Sequence, residues 1–126
     1  MSSEMPEILL DDESIPLWVR IRECMRLLDL ALIESKKRGQ EMVLAEARYY
    51  TAKANEVLRL KNEEQMPATL IPLVVKGSQA VVGAMQAYHQ AQVDYENARE
   101  ARNVYKKELD TLREEYEREY VKEVEQ

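Results

Sequence analysis

One histidine, His89, and one cysteine, Cys24, are the only side chains of their kind in 126 residues. Nucleophilic or metal chemistry would have to run through them or through carboxylates. One helical turn either side of His89 come Met85, Gln86, Gln92 and Val93, none of them a carboxylate or thiol. No H-E-x-x-H spacing is present, so a metal site is not expected. Cys24 lies in an apolar helical stripe, where a thiol behaves as a small buried hydrophobe. It has no second cysteine to pair with, which suits a reducing compartment. Acids stand side by side at Asp11-Asp12, Glu63-Glu64 and Glu114-Glu115. Paired catalytic carboxylates need environments that split their pKa values. Neighbours on an exposed helix diverge by about 100 degrees and both stay solvated. With no serine or cysteine that can be placed beside a histidine, nucleophilic catalysis has no support. The sequence is that of a non-enzyme with no cofactor.

Binding chemistry is better represented. Residues 15–40 hold six bases against three acids, the bases being Arg20, Arg22, Arg26, Lys36, Lys37 and Arg38. They are a candidate phosphate-contacting face. The acidic C-terminal run, Glu114, Glu115, Glu117, Glu119 and Glu123, is a candidate mimic of a phosphate backbone. The net charge of −6 argues against a general nucleic-acid binder, which is normally basic overall. A nucleic-acid role is therefore the alternative, and a solvated helix face is the plainer reading of both charge runs. Seven tyrosines and no phenylalanine supply the aromatic content apart from Trp18. Most of the tyrosines fall on a helical seam and serve packing with the hydroxyl at its edge. Tyr49 and Tyr120 fall off it, and Tyr49 is a candidate anchor for a protein partner.

The elements that position these residues are helices. Three glycines and four prolines are too few for the turns of a sheet. Residues 1–13 read as an acidic flexible tail, and 14–126 as a single helical domain with helices at about 15–36, 40–65, 68–76 and 79–123. Ser14 is placed as an N-cap and Pro16 in the first turn. Trp18, Ile21, Met25, Leu28 and Leu32 follow at 3-4-3-4 spacing, with Leu17, Cys24, Leu27, Leu30, Ala31 and Ile33 widening the face. Val43, Ala47, Tyr50, Ala54 and Val57 form a second stripe, flanked by Leu44, Tyr49 and Leu58. The second stripe is one residue out of phase with the first. That shift favours a break or bend at Gly39 over a helix running straight through at a cost of roughly 1 kcal/mol.

Pro67 should stop the long helix at Met66 and open a short one. Gly77 is expected as its left-handed cap and Ser78 as the N-cap of the next helix. That last helix carries one seam, Ala84, Tyr88, Ala91, Tyr95, Ala98, Arg102, Tyr105, Leu109, Leu112 and Tyr116, of coiled-coil spacing. It is long enough to need both earlier segments as partners. The predicted fold is all-α: an elongated antiparallel helical hairpin or coiled-coil-like bundle, with three long helical segments and one short helix at the tip. So thin a structure buries little surface, so self-association is expected. The apolar tip, with Leu70, Leu73, Val74 and Lys76, is the candidate partner-binding element.

Residues 46–82 also carry a resemblance. Tyr49, Tyr50, Ala52 and Lys53 make a Tyr-Tyr-x-Ala-Lys pattern, Pro67–Ile71 read Pro-Ala-Thr-Leu-Ile, and Val75–Gly77 read Val-Lys-Gly before a long tyrosine-bearing helix. Across roughly residues 40–115 the chain resembles small helical accessory proteins of tailed bacteriophages of Gram-positive hosts. The pattern holds no catalytic residue. The resemblance implies a protein acting in the host cytoplasm by protein–protein contact, as an adaptor or as an inhibitor of a defence, replication or recombination protein. No basic leader precedes the apolar pattern, and no apolar run is long enough to cross a bilayer. A cytoplasmic protein with no membrane partner is expected.

Overall fold

A computed structural model describes residues 10–125. Among the described residues three helices follow one another: α1 (Leu17–Asn62), α2 (Ile71–Gly77) and α3 (Gln79–Glu125). Among the described residues there is no strand. The fold is all-α, and the two long helices pack against each other as an antiparallel hairpin. Residues 1–9 of the acidic tail read from the sequence lie outside the described residues.

Both long helices owe their length to an absence of breakers. Between Pro16 and Pro67 there is no proline, and from Gln79 onward there is none. Gly39 does not end α1, which continues through it. The reason lies in what the glycine faces. A Cβ at Gly39 would sit 3.3 Å from Cε1 and 3.5 Å from Cδ1 of Tyr95. A bare Cα at this turn lets the α3 tyrosine ring come close, and that contact offsets the propensity cost of glycine.

The helix ends differ from the sequence expectation in three places. Pro16, not Ser14, caps α1: its carbonyl accepts the Val19 and Arg20 N–H groups at 3.0 and 3.1 Å. Ser14 is used in a turn before the helix, donating its N–H and hydroxyl to Asp12 Oδ1 at 2.9 and 2.6 Å. The left-handed residue is Gln65, with φ 49°, and no glycine has positive φ. The reversal after α1 therefore falls at Gln65, where Met66 N–H reaches back to the Leu60 carbonyl at 3.0 Å. Gly77 stays helical as the last residue of α2, which opens after Leu70 with Pro72 in its first turn. An N–H is dispensable there. Ser78 starts α3 as expected, its carbonyl accepting Val82 N–H at 2.9 Å.

The chain divides into two compact units. The terminal unit joins the described residues of Met1–Glu34 with those of Ala98–Gln126. Its core is Leu17, Cys24, Leu109 and Leu112, with Leu10, Ile21 and Leu28 packed around it. The central unit is Ser35–Asn97. Its core is Leu60, Ile71, Val75 and Val81, with Tyr49 and Met66 against it. α2 thus contributes one inward edge, Ile71 and Val75, four residues apart on the same helix face.

Candidate interaction surfaces

In the terminal unit the residues that could do chemistry are committed to structure. Cys24 is fully buried and donates its thiol to the Tyr105 carbonyl at 3.4 Å. Burial and, next, the nearby Glu108 push its pKa up, so the reactive thiolate is disfavoured. Arg20, read from the sequence as a phosphate contact, is 6% exposed. It donates from Nε to the Ile15 carbonyl at 3.1 Å and from Nη1 to the Leu10 carbonyl at 3.2 Å. Its guanidinium folds the chain before α1 back onto the helix and holds Leu10 over the core. It does not face solvent, and that corrects its place in the phosphate-contacting set.

The other bases of that set are exposed or half-exposed, and several are already paired. Arg22 lies over the Trp18 ring at 5.8 Å. Arg26 forms a fork with Glu23, its Nε 3.1 Å from both carboxylate oxygens. Arg38 pairs with Glu41 at 3.1 Å. Lys36 and Lys37 are exposed. What was one basic run is a helix surface with its own acids between the bases. A shallow depression beside Trp18, lined also by Val19, Arg22, Glu23 and Arg26, is walled by the first turns of α1 alone.

The acidic run of α3 is likewise mixed. Glu114, Glu117, Glu119 and Glu123 are exposed and Glu115 is half-buried. Glu114 and Glu117 line a shallow surface with Arg118, Val121 and Lys122. Bases interleave with the acids on that surface, unlike the even charge of a phosphate backbone.

The central unit holds the candidate partner-binding residues. Tyr49 is half-buried, stacks on Tyr88 with ring centroids 6.1 Å apart, and has Lys53 Nζ 5.4 Å from its own centroid. It belongs to the packing of the unit. The tyrosine that faces outward here is Tyr50, 57% exposed. Tyr88 donates its hydroxyl to Glu46 Oε2 at 2.8 Å. That bond, with burial and the Glu46 charge behind it, raises the Tyr88 pKa. The residues of the short helix and its start that the sequence offers for partner binding lie at the surface. Leu70, Leu73 and Val74 are exposed, Leu73 at 67%, and Lys76 is exposed beside them. Thus α2 turns one apolar edge inward and a second apolar edge to solvent. His89 is exposed next to Tyr88. Among the described residues no group of three His, Cys, Asp or Glu could hold a metal ion. Among the described residues, too, no helix is long and apolar enough to cross a membrane.

One surface was not singled out from the sequence as a surface at all. Val43, Leu44, Tyr50, Val57 and Leu58 are all exposed, as are Ala47 and Ala54 between them. These residues are the stripe expected to form the core of the second helical segment. The side of α1 that packs here instead carries Ser35, Gly39, Met42, Ala45, Tyr49 and Leu60. No protein-family model, curated protein or solved structure matches the chain.

Proposed function

We propose that this protein is a non-enzymatic accessory protein of the phage type its sequence resembles, acting by protein–protein contact through the outward edge of α2. The observation that carries the reading is the surplus of exposed apolar side chains over buried ones on so small a core. On α2 that surplus is local: Ile71 and Val75 alone make the packing contact, while Leu70, Leu73 and Val74 remain outside. A contiguous apolar patch on a solvated surface marks a docking site. Lys76 at its rim would set orientation toward an acidic group on the partner. The action is occlusion or bridging by a helical surface, as an adaptor or inhibitor.

The test is capture from bacterial lysate with the wild type and Leu73→Asp, at low and high salt, read by mass spectrometry. A protein retained at high salt by the wild type and lost with Leu73→Asp supports the reading. Leu73 is exposed, so the variant keeps its helical circular dichroism. Recovery of nucleic acid alone, released as salt rises, would replace this reading with phosphate contact by Arg22, Arg26, Lys36, Lys37 and Arg38.

A further inference from the structure

The outward face of α1 in the central unit has an internal symmetry that points to its occupant. Along it run Val43, Ala47, Tyr50 and Ala54, at 4-3-4 spacing, all exposed. Reversed and shifted, the order reads Ala54, Tyr50, Ala47, Val43, so every large side chain meets a small one. We infer that a second copy of this chain docks here, its α1 antiparallel to the first about a twofold axis between Arg48 and Tyr49. Tyr50 then packs on the partner subunit's Ala47, and Val43 on the partner subunit's Ala54, each contact occurring twice. An isologous interface requires this self-complementarity.

The edges of the face agree with that register. One edge carries Glu46 and Lys53. In antiparallel pairing the corresponding edges of two helices meet, and here Glu46 comes opposite the partner subunit's Lys53, and Lys53 opposite the partner subunit's Glu46. Both residues are half-buried at the border of the face. The hydroxyl of Tyr88 holds one oxygen of Glu46 at 2.8 Å, leaving the other for the ammonium group. The opposite edge carries Leu44 and Thr51, both exposed, which meet each other without a charge. Parallel pairing would set Glu46 against Thr51 and Lys53 against Leu58, with no ion pair. Shifting the antiparallel register by one heptad would set Lys53 against its own copy. Charge and size thus select the same orientation and the same register.

The packing mode is one the protein already uses. Inside the central unit the Tyr95 ring lies against Gly39 at 3.3 Å from where a Cβ would be. A tyrosine over a small residue is repeated at Tyr50 and the partner subunit's Ala47. This contact is separate from the α2 edge and stands or falls independently of it.

Sedimentation equilibrium of the full chain over a range of micromolar concentrations tests the pairing. The wild type is expected to move from one to two chain masses. Tyr50→Glu is expected to leave only the monomer, with helical circular dichroism unchanged because the side chain is exposed. Lys53→Glu places like charges at both edge contacts and is expected to weaken dimerisation about tenfold. Glu46→Lys does the same but also removes the Tyr88 bond, so Lys53→Glu is the cleaner single change. The double variant Glu46→Lys/Lys53→Glu restores opposite charges in the antiparallel dimer alone and is expected to return affinity to within about threefold of the wild type. A wild type monomeric throughout the range overturns the inference. So does a dimer indifferent to Tyr50→Glu, which would use another surface. A dimer whose affinity the double variant fails to restore overturns the antiparallel register.

Discussion

The two long helices differ in how many apolar stripes they carry, and the difference explains most of the molecule. α3 has one. Ala84, Tyr88, Ala91, Tyr95, Ala98, Arg102, Tyr105, Leu109 and Leu112 follow coiled-coil spacing, and each is buried or half-buried. α1 has two, about 100 degrees apart around the helix. One, through Leu17, Cys24, Leu27, Ala31, Ser35, Ala45 and Leu60, is buried. The other, through Trp18, Met25, Leu32, Val43, Tyr50 and Val57, is exposed. Periodicity reports apolar content and does not report which face has a partner. On α1 the larger side chains lie on the free face. At Gly39 the buried face is the one that admits the Tyr95 ring of α3.

Substitutions on the two α1 stripes give the largest contrast. Leu60 is 2% exposed against Ile71, Val75 and Val81, so Leu60→Ala is expected to cost about 2–4 kcal/mol. Leu112→Ala, also at 2% exposure on the single stripe of α3, should cost a similar amount. Leu32→Ala, on the exposed stripe, removes as many carbons from a side chain 45% exposed and should cost less than about 1 kcal/mol. Urea denaturation of the three variants checks this. If Leu32→Ala proved as costly as Leu60→Ala, the exposed stripe would be core, and the distinction between the helices would fail.

How much of this was legible in the sequence follows from the same contrast. The helical class, the hairpin, the short helix and the seam of α3 are consequences of local rules: few breakers, Pro67, and one stripe at one period. The phase shift at residues 32–43 was legible too, but its cause was not. It belongs to the exposed stripe, and the buried one passes Gly39 without interruption. Small residues such as Ser35, Gly39 and Ala45 leave almost no periodic signal, although they are buried or half-buried and Gly39 admits the Tyr95 ring. The outward edge of α2 was visible as an apolar patch in a place where loops are polar. Arg20 was not distinguishable from Arg22 or Arg26, since its partners are backbone carbonyls that the sequence does not mark.

Arg20 provides the next test, because it ties the start of α1 to what precedes it. Arg20→Ala strands the Ile15 and Leu10 carbonyls and should cost about 1–3 kcal/mol. Amide exchange at residues 10–15 should quicken most. Arg20→Lys should recover only part of the loss, because one ammonium group lacks the planar fork that reaches both carbonyls. Equal exchange in all three proteins would mean that the segment is held by Leu10 alone.

Glycine substitutions ask how tightly the two helices meet, with smaller effects. Gly83 lies within α3 with nothing near its missing Cβ, so Gly83→Ala should gain about 0.5–1 kcal/mol. Gly39→Ala offers the same propensity gain on α1 but brings its methyl to 3.3 Å from Tyr95 Cε1. It should gain less than Gly83→Ala, and the difference in midpoint measures the Tyr95 contact. Gln65→Gly should gain a few tenths to about 1 kcal/mol by relieving the left-handed backbone at φ 49°.

The smallest effects separate the helices by pH. On α1, hydrogen bonds from Arg26 hold Glu23 below the usual carboxylate range, and those from Arg59 do the same for Glu56. A carboxylate with a depressed folded pKa contributes stability at pH values above its unfolded pKa and loses it as pH falls through the folded one. Thermal melts of the wild type should therefore drop as acid passes below the ordinary carboxylate range. Glu23→Gln and Glu56→Gln should each flatten that limb slightly. On α3 the sign is opposite. Tyr88 donates to Glu46, and its pKa is raised. Its contribution is complete below the unfolded tyrosine pKa of about 10 and is lost as pH rises through the higher folded value. Tyr88→Phe should flatten the alkaline limb while leaving the acid limb unchanged. The Glu46 carboxylate accepts that bond, so Glu46→Gln should reproduce the alkaline effect in part, because an amide oxygen still accepts but without the charge. An alkaline limb that did not respond to Tyr88→Phe would mean that the bond contributes nothing to holding α3 against α1 in the central unit.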